Sequence, residues 1–549
     1  MKKIILIITA IFALAVVSCQ TLDVAPPNSI TNEQIVDLLS TADEATANKI
    51  VAAIGSGLMQ YFNYGGTYDG GYSHIYKNTQ IDQEYILNLW GNDVICSTLG
   101  KGDSHRNFYN LNGTFFDSTN SNPWWDMPVD FYIAANKTLD TTNEEAYEGN
   151  PKVVGPYRAQ ALVVRAWGYL NLLQRFAPAF AQDPTAKGLP VYTEYKVNPV
   201  AEISSIDETY GYIIGWLEEA VKIMENPAVN ISYTVNDTED IDLGVANYLL
   251  MRAYLEHKDF TKAAAVGEKI IAKYPSFIPE ANYGVKASRA DALAAKTDEA
   301  PAEDNAFLCI AKNPEVILGF KYGSAYCNSN KAALQFGANA YNLLNVFGSG
   351  VGGYGGSFPR IDNRLYDKIN ANDIRKDLFI LADKPFEYVT NLTEGKTGDN
   401  VILSYSNTKW GATKALTESA RSERTYCDDI CIRASEVYLM LAEAYNSGGD
   451  ATKAKNTLNK LLAARSKAGT TLTCDNYGVS DLTQLIQLQW RIEMWCEKGL
   501  EFFNNKRWNI AVDRNGSSVH NSDIKALPVS GMVFDVPMDE KTANTNWSK

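Results

Sequence analysis

Apolar residues recur every three to four positions over several long stretches, a period that predicts amphipathic helices. Residues 157–176 (YRAQALVVRAWGYLNLLQRF) place Ala161, Val164, Trp167, Gly168 and Leu172 near one stripe, with Arg158, Arg165 and Arg175 interspersed, and the run stops before Pro178. Residues 206–224 open with Asp207-Glu208 and carry Tyr210, Ile213, Ile214, Leu217 and Ala220 at helical spacing. Residues 246–257 and 260–274 read as two helices joined by a Lys258-Asp259 turn, with small residues at Ala253, Ala263, Ala264 and Gly267 where the backbones would approach. The same arrangement recurs at 432–446 and 451–467 around Gly448-Gly449-Asp450. Upstream, Thr31-Asn32-Glu33-Gln34 reads as a helix N-cap with an acidic first turn.

Paired helices with Ala or Gly at the crossings look like tetratricopeptide-type units. Between about 280 and 424 the periodicity dissolves into Gly, Asn, Ser and Tyr, and long irregular insertions on a rigid scaffold are where binding residues are usually put. The expected fold is therefore mostly α: a tetratricopeptide-like scaffold of helical pairs whose long irregular loops form a binding face. Its organisation reads as a single domain over 31–549, with a helical part at 31–279, the irregular insertion at 280–424 and a second helical part at 425–549.

The first 30 residues are an address. Lys2 and Lys3 precede an apolar run from Ile4 to Val17, too short for a spanning helix, and Val16-Val17-Ser18-Cys19 resembles the lipobox of a bacterial lipoprotein. Residues 1–18 are expected to be removed, leaving Cys19 lipidated and residues 19–30, with Pro26-Pro27, as a tether. Lipidation leaves seven of the 8 cysteines, an odd number that excludes a complete disulfide framework. Cys427 and Cys431 have the spacing of neighbours on a helical face, and buried thiols are the expectation.

A net charge of −14 across 549 residues, with no basic cluster, argues against nucleic acid. Enzyme signatures fail on context. Gly348, Gly350 and Gly353 satisfy GxGxxG but run into Gly355-Gly356-Ser357-Phe358-Pro359, which cannot open a helix. Gly395-Lys396-Thr397 lacks the first P-loop glycine, Thr390 standing in its place. His74, His105, His257 and His520 are too dispersed for a local metal cluster, so neither metal nor cofactor is expected. A glycosidase, which needs only two suitably placed carboxylates, is the chief enzymatic rival.

The positive signal is aromatic: 31 Tyr and 10 Trp beside 20 Phe. Sugar C–H faces stack on such rings while hydroxyls need small polar neighbours, so a glycan platform interleaves the two. Residues 61–76 (YFNYGGTYDGGYSHIY) have that composition, with Tyr68 and Tyr72 as candidate ligand rings. Trp90-Gly91-Asn92-Asp93 reads as a turn presenting Trp90 beside Asn92 and Asp93, and Trp410, near Tyr405 and Lys409, is a further candidate. Trp125, Trp167, Trp216 and Trp495 fall in helical patterns and are expected in the core.

Taken in order, these segments resemble the SusD/RagB family of outer-membrane nutrient-binding lipoproteins from Bacteroidetes. The resemblance is carried by the lipobox, Trp125 with Tyr132, Ile133 and Asn136, Arg165-Ala166-Trp167, Tyr210-Gly211-Tyr212-Ile213, Asn313-Pro314-Glu315, and Asn372-Asp373-Ile374-Arg375. It continues through Arg433-Ala434-Ser435-Glu436, Arg491-Ile492-Glu493 and Glu497-Lys498-Gly499. It implies four tetratricopeptide-like pairs, no chemistry, and a lid that sits on a SusC-like TonB-dependent barrel at the cell surface, captures an oligosaccharide and closes it into the transporter. It also implies that the Gly-rich stretch 341–358 contributes rings, Tyr354 among them. RagB-like members are associated with peptides, so peptide capture is the alternative, followed by a structural or adhesive surface lipoprotein.

Overall fold

The computed structural model describes residues 30–548 apart from 56–57, 59–79, 97–107, 198, 235–237, 322–358, 383, 386–400, 403, 415 and 420–423. Among the described residues the helices of eight or more residues are α1 (Asn32–Thr41), α2 (Glu44–Gly55), α3 (Gln80–Asn88), α4 (Asn122–Thr141), α5 (Pro151–Phe176), α6 (Ile206–Glu225), α7 (Leu243–Glu256), α8 (Phe260–Lys273), α9 (Ala434–Ser447), α10 (Ala451–Ala464), α11 (Leu482–Glu493) and α12 (Leu500–Arg507). Short polar side chains fix where many of them begin. Thr31 and Gln34 form a reciprocal capping box on α1, Ser205 and Glu208 another on α6, and Asp242, Asp259, Asp450 and Asp481 each accept the amide three residues ahead on α7, α8, α10 and α11.

The helices stack in chain order: α4 on α5, α5 on α6, α6 on α7, α7 on α8, α8 on α9, and α9 on both α10 and α11. This is the expected tetratricopeptide-like scaffold. Glycine permits its tightest contacts. A Cβ on Gly168 of α5 would lie 2.7 Å from the Pro128 carbonyl oxygen of α4, and one on Gly267 of α8 would lie 2.6 Å from Met251 Cε of α7. One hydrophobic core runs through this stack, with Trp125 and Trp216 buried in it, Trp167 half-buried at its margin, and α1 and α2 added through Val36, Leu39, Ala47 and Val51.

A second core underlies a small sheet. Strands β1 (Val94–Cys96), β2 (Val316–Phe320), β3 (Pro359–Ile361), β4 (Phe379–Ile380), β5 (Ser406–Asn407) and β6 (Asp429–Arg433) come largely from the irregular insertion. Four form one antiparallel sheet in the order β1-β3-β5-β4, and β6 pairs with β2. The described part of the insertion thus holds short strands, 3-10 turns and two short helices, Ala290–Ala294 and Asn363–Lys368, where the sequence reading expects only loop.

Three expectations need correction. Residues 432 and 433 are not helical: Ile430 and Ile432 extend in β6 against β2, and α9 starts at Ala434, whose N–H is taken by the Glu315 carbonyl at 2.7 Å. Cys427 and Cys431 consequently lie in extended chain and share no helical face. Both are free thiols, as are Cys309, Cys474 and Cys496. Trp495 is buried, but in a turn beyond α11.

That turn belongs to a buried ion cluster. Glu493, at the end of α11, accepts from Arg433 Nη1 at 2.6 Å, from Arg465 Nη2 at 2.9 Å and from Arg375 Nη1 at 3.1 Å. Glu315 accepts from Arg465 Nη2 at 2.6 Å, Asp373 pairs with Arg375 at 2.6 Å, and Glu497 takes Arg433 at 2.8 Å as well as Lys409. Four carboxylates thus face four cations, all of them buried except Glu497, which keeps a small exposed edge. Burial opposes ionisation of Glu493, but Arg465, Arg433 and Arg375 outweigh it and hold the carboxyl well below the usual carboxylate range.

Two predictions follow from this packing. Glu493→Gln leaves the cluster one negative charge short and is expected to cost about 3–5 kcal/mol. The control Glu44→Gln, which breaks the exposed Lys152–Glu44 pair, should cost under about 1 kcal/mol, both read from urea midpoints. Gly168→Ala should cost about 1–3 kcal/mol because a backbone oxygen blocks the new methyl. Gly211→Ala, within α6 with nothing within 4 Å of the new Cβ, should instead gain up to about 1 kcal/mol.

Candidate ligand-binding face

The sheet is where the glycine-rich chain joins the scaffold. β1 and β3 pair with Cys96 opposite Pro359. Segment 97–107 continues from the first of these residues and segment 322–358 arrives at the second, so both meet the described structure at one end of one strand pair. The candidate rings Tyr68, Tyr72 and Tyr354, and the lipidation candidate Cys19, lie outside the described residues.

The approach to β1 is built as a buried junction. Residues 91–93 do bend as a turn, but Trp90 is only 1 % exposed, with its ring covered by Phe116 at 4.2 Å and by Phe502 and Phe534 at 6.4 Å. Asp93 is bound by Arg491, whose Nε donates to Oδ2 at 2.7 Å, and its carbonyl accepts the Trp495 indole N–H at 3.0 Å. Asn92 Oδ1 accepts the Asp513 N–H at 2.7 Å. Glu501 accepts the Asn92 and Asp93 amides, and its carboxyl fills the space where Gly91 would carry a Cβ. Burial, with Asp93 adding to it, pushes Glu501 up to about 8.

Arg514 completes the junction, its Nε donating to the Gly91 carbonyl at 3.0 Å and its Nη2 to the Leu89 carbonyl at 2.6 Å. His520 Nε2 lies 2.8 Å from the Asn92 carbonyl, so that nitrogen carries the proton and Nδ1, at 2.6 Å, accepts from the Tyr109 hydroxyl. Burial and Arg514 lower His520 to about 4, consistent with a neutral ring.

Trp410 is likewise interior, at 5 % exposure, between Phe307 and Trp495. Lys409 beside it is consumed by Glu497 and by the Trp495 carbonyl at 3.1 Å. In this conformation Trp90, Asn92, Asp93 and Trp410 are therefore parts of the support beneath the candidate face and present no ring or charge to a ligand, contrary to expectation. A Trp-Gly-Asn-Asp turn reads the same whether its ring points outward or inward. The deciding partners, Arg491, Glu501, Arg514 and His520, lie some 400 positions away in sequence. Tyr405 is half-buried, with its ring edge-on to Tyr366 at 5.6 Å.

Among the described residues no group of three or more His, Cys, Asp or Glu side chains is placed to hold a metal, and no helix is long and apolar enough to cross a membrane.

Two family models match complementary parts of the chain. One described as "SusD family" covers residues 335–546, and one described as "Starch-binding associating with outer membrane" covers residues 22–237. Curated protein sequences contain no match. Among solved structures, the chain is similar to a SusD-like carbohydrate-binding protein from Bacteroides vulgatus, with 22 % identity, a TM-score of 0.67, and 91 % of this chain and 97 % of that one covered. It is similar to surface glycan-binding protein A from Bacteroides fluxus, at 16 % identity and a TM-score of 0.60, and to a laminarin-binding SusD-like protein, at 17 % and 0.58; each comparison covers 91 % of this chain and 97 % of the other. These likenesses establish the shared fold, and together with the two matching models they show that the chain belongs to the SusD family of proteins associated with the outer membrane.

Proposed function

We propose that this protein is a glycan-binding lipoprotein, anchored through Cys19 and facing the cell exterior, that captures an oligosaccharide and delivers it to a SusC-like TonB-dependent outer-membrane transporter. The observation that carries the reading is the pairing of Cys96 with Pro359, which sets side by side the residues that border segments 97–107 and 322–358 in the chain, the second of them bearing Tyr354 among glycines. Relatives of the same fold are named for glycan binding and laminarin binding, which fits a sugar ligand.

Binding without chemistry is the economical reading of the described residues. The shifted acid and base groups around the second core, Glu501, His520 and Glu493, are buried and spent on internal partners, whereas a general acid or base must reach a substrate. Tyr68, Tyr72 and Tyr354 are then the rings on which sugar units stack. Several weak stacking contacts suit handover, since a ligand gripped by one deep site would leave slowly.

Calorimetric titration of the chain lacking residues 1–19 against maltohexaose, laminarihexaose and mixed peptides tests this. A sugar is expected to bind, and Tyr68→Ala or Tyr354→Ala should each weaken it about fivefold, the loss of one stacked ring at about 1 kcal/mol. Trp90→Ala should instead cost about 3–5 kcal/mol of stability, as a core truncation does. Binding of peptides alone would make this a peptide-capturing protein, and silence towards both would leave a structural or adhesive role.

A further inference from the structure

A polar cleft of about 670 Å³ lies away from the sheet, between the start of α1, the end of α4, the middle of α5 and residues 193–195. Its floor is Arg165, part of the Arg165-Ala166-Trp167 motif for which the proposed function has no use. The side chain is 93 % removed from solvent, at 7 % exposure, yet no carboxylate among the described residues pairs with it. Nη1 donates to Asn136 Oδ1 at 3.3 Å and to the Thr193 carbonyl at 3.2 Å, both long, and Nε is buried with no acceptor among the described residues. Trp216 supports the guanidinium from one side at 4.2 Å. Burial pulls Arg165 down to about 10, the mark of a desolvated cation without full compensation.

The surrounding groups define what could complete it. Asp140 uses Oδ2 to accept the Tyr195 N–H at 3.2 Å, while Glu33 and Glu194 stand exposed at the rim. Glu145 adds a fourth carboxylate to the lining, and Glu194 already pairs with Lys196 at 2.8 Å; an anionic ligand would meet this acidic wall, and a cationic one would meet Arg165 and the neighbouring Arg158. Tyr195 is 41 % exposed, with one ring face covered by Lys137 Nζ at 4.5 Å. A buried donor, carboxylate acceptors and one exposed ring within a cavity of this size match a neutral polyhydroxylated molecule, whose adjacent hydroxyls both donate and accept.

We propose that this cleft is a second sugar-binding site, separate from the loop-bearing face, in which Arg165 donates to ring hydroxyls, Asp140 accepts from them and Tyr195 lies against the sugar. This rests on the glycan-binding reading above.

The full chain in detergent micelles would be titrated with maltohexaose and laminarihexaose, comparing wild type with Tyr195→Ala, Arg165→Gln and Tyr354→Ala. Two equivalents of one sugar are expected per wild-type chain. Tyr195→Ala and Arg165→Gln should each leave one equivalent, with affinity at the lost site down at least tenfold, while Tyr354→Ala weakens only the other. Tyr195 is exposed, so its variant should keep the wild-type thermal midpoint and remains decisive if Arg165→Gln folds poorly. One equivalent, unaffected by Tyr195→Ala, would overturn the second site and leave the glycan reading intact. Absence of binding by either sugar would overturn both.

Discussion

The constraint on which the rest of this structure depends is the charge balance of the buried cluster around Glu493. Desolvating an ion costs several kcal/mol even after relaxation, so eight charges survive burial only if each is matched and hydrogen-bonded. The matching here is complete: Asp373, Glu315, Glu493 and Glu497 against Arg375, Arg433, Arg465 and Lys409. Apolar residues of equal volume could hold such a core together as tightly. What they could not do is specify direction, because each arginine fork fits its carboxylates in one orientation only.

That directionality explains where elements begin and end. Arg433 immediately precedes α9, Arg465 immediately follows α10, and Glu493 is the last residue of α11, so three scaffold helices stop or start at the cluster. Returning Glu497 to Arg433 and Lys409 requires a tight reversal, and the chain makes it with positive φ at Cys496, Lys498 and Gly499. Two of these are not glycine, a local strain that the ion pairs offset. Lys498 then reaches Glu436 of α9, fastening the same turn to the scaffold a second time. Because Lys409 and Arg375 come from the insertion, the cluster also fixes the small sheet against the helices.

The helical half of this architecture is legible in the sequence because its signals are local. Capping residues, a period near 3.6, and small residues at crossings lie within one or two turns of the backbone they govern. They place α5 to α8 within a few residues, apart from the earlier starts of α5 at Pro151 and of α7 behind its Asp242 cap. The cluster is not legible in that way. Arg433 looks like the second residue of a helix, and it is distant partners that hold it in a strand: Val316 across the ladder and Glu315, Glu493 and Glu497 at its guanidinium, between 60 and 118 positions away. Trp90 fails for the same reason. Its composition is that of a presented ring, but Phe116, Phe502 and Phe534 together remove more apolar surface from water by enclosing it than a single sugar contact could.

The inward turn of Trp90 and Trp410 shifts where recognition must come from. A ring enclosed on all sides lends rigidity without affinity, and the junction around Asp93, Glu501, Arg514 and His520 spends its polar groups on joining residues 89–93 to 491–520. Rigidity at that junction still matters for binding. Glu501, Arg514 and His520 each hold the 89–93 backbone from a distant part of the chain, so the approach to β1 is fixed before any ligand arrives and costs no ordering entropy on binding. A ligand held above such a base would lose no affinity to ordering it, whereas a mobile base would tax every contact.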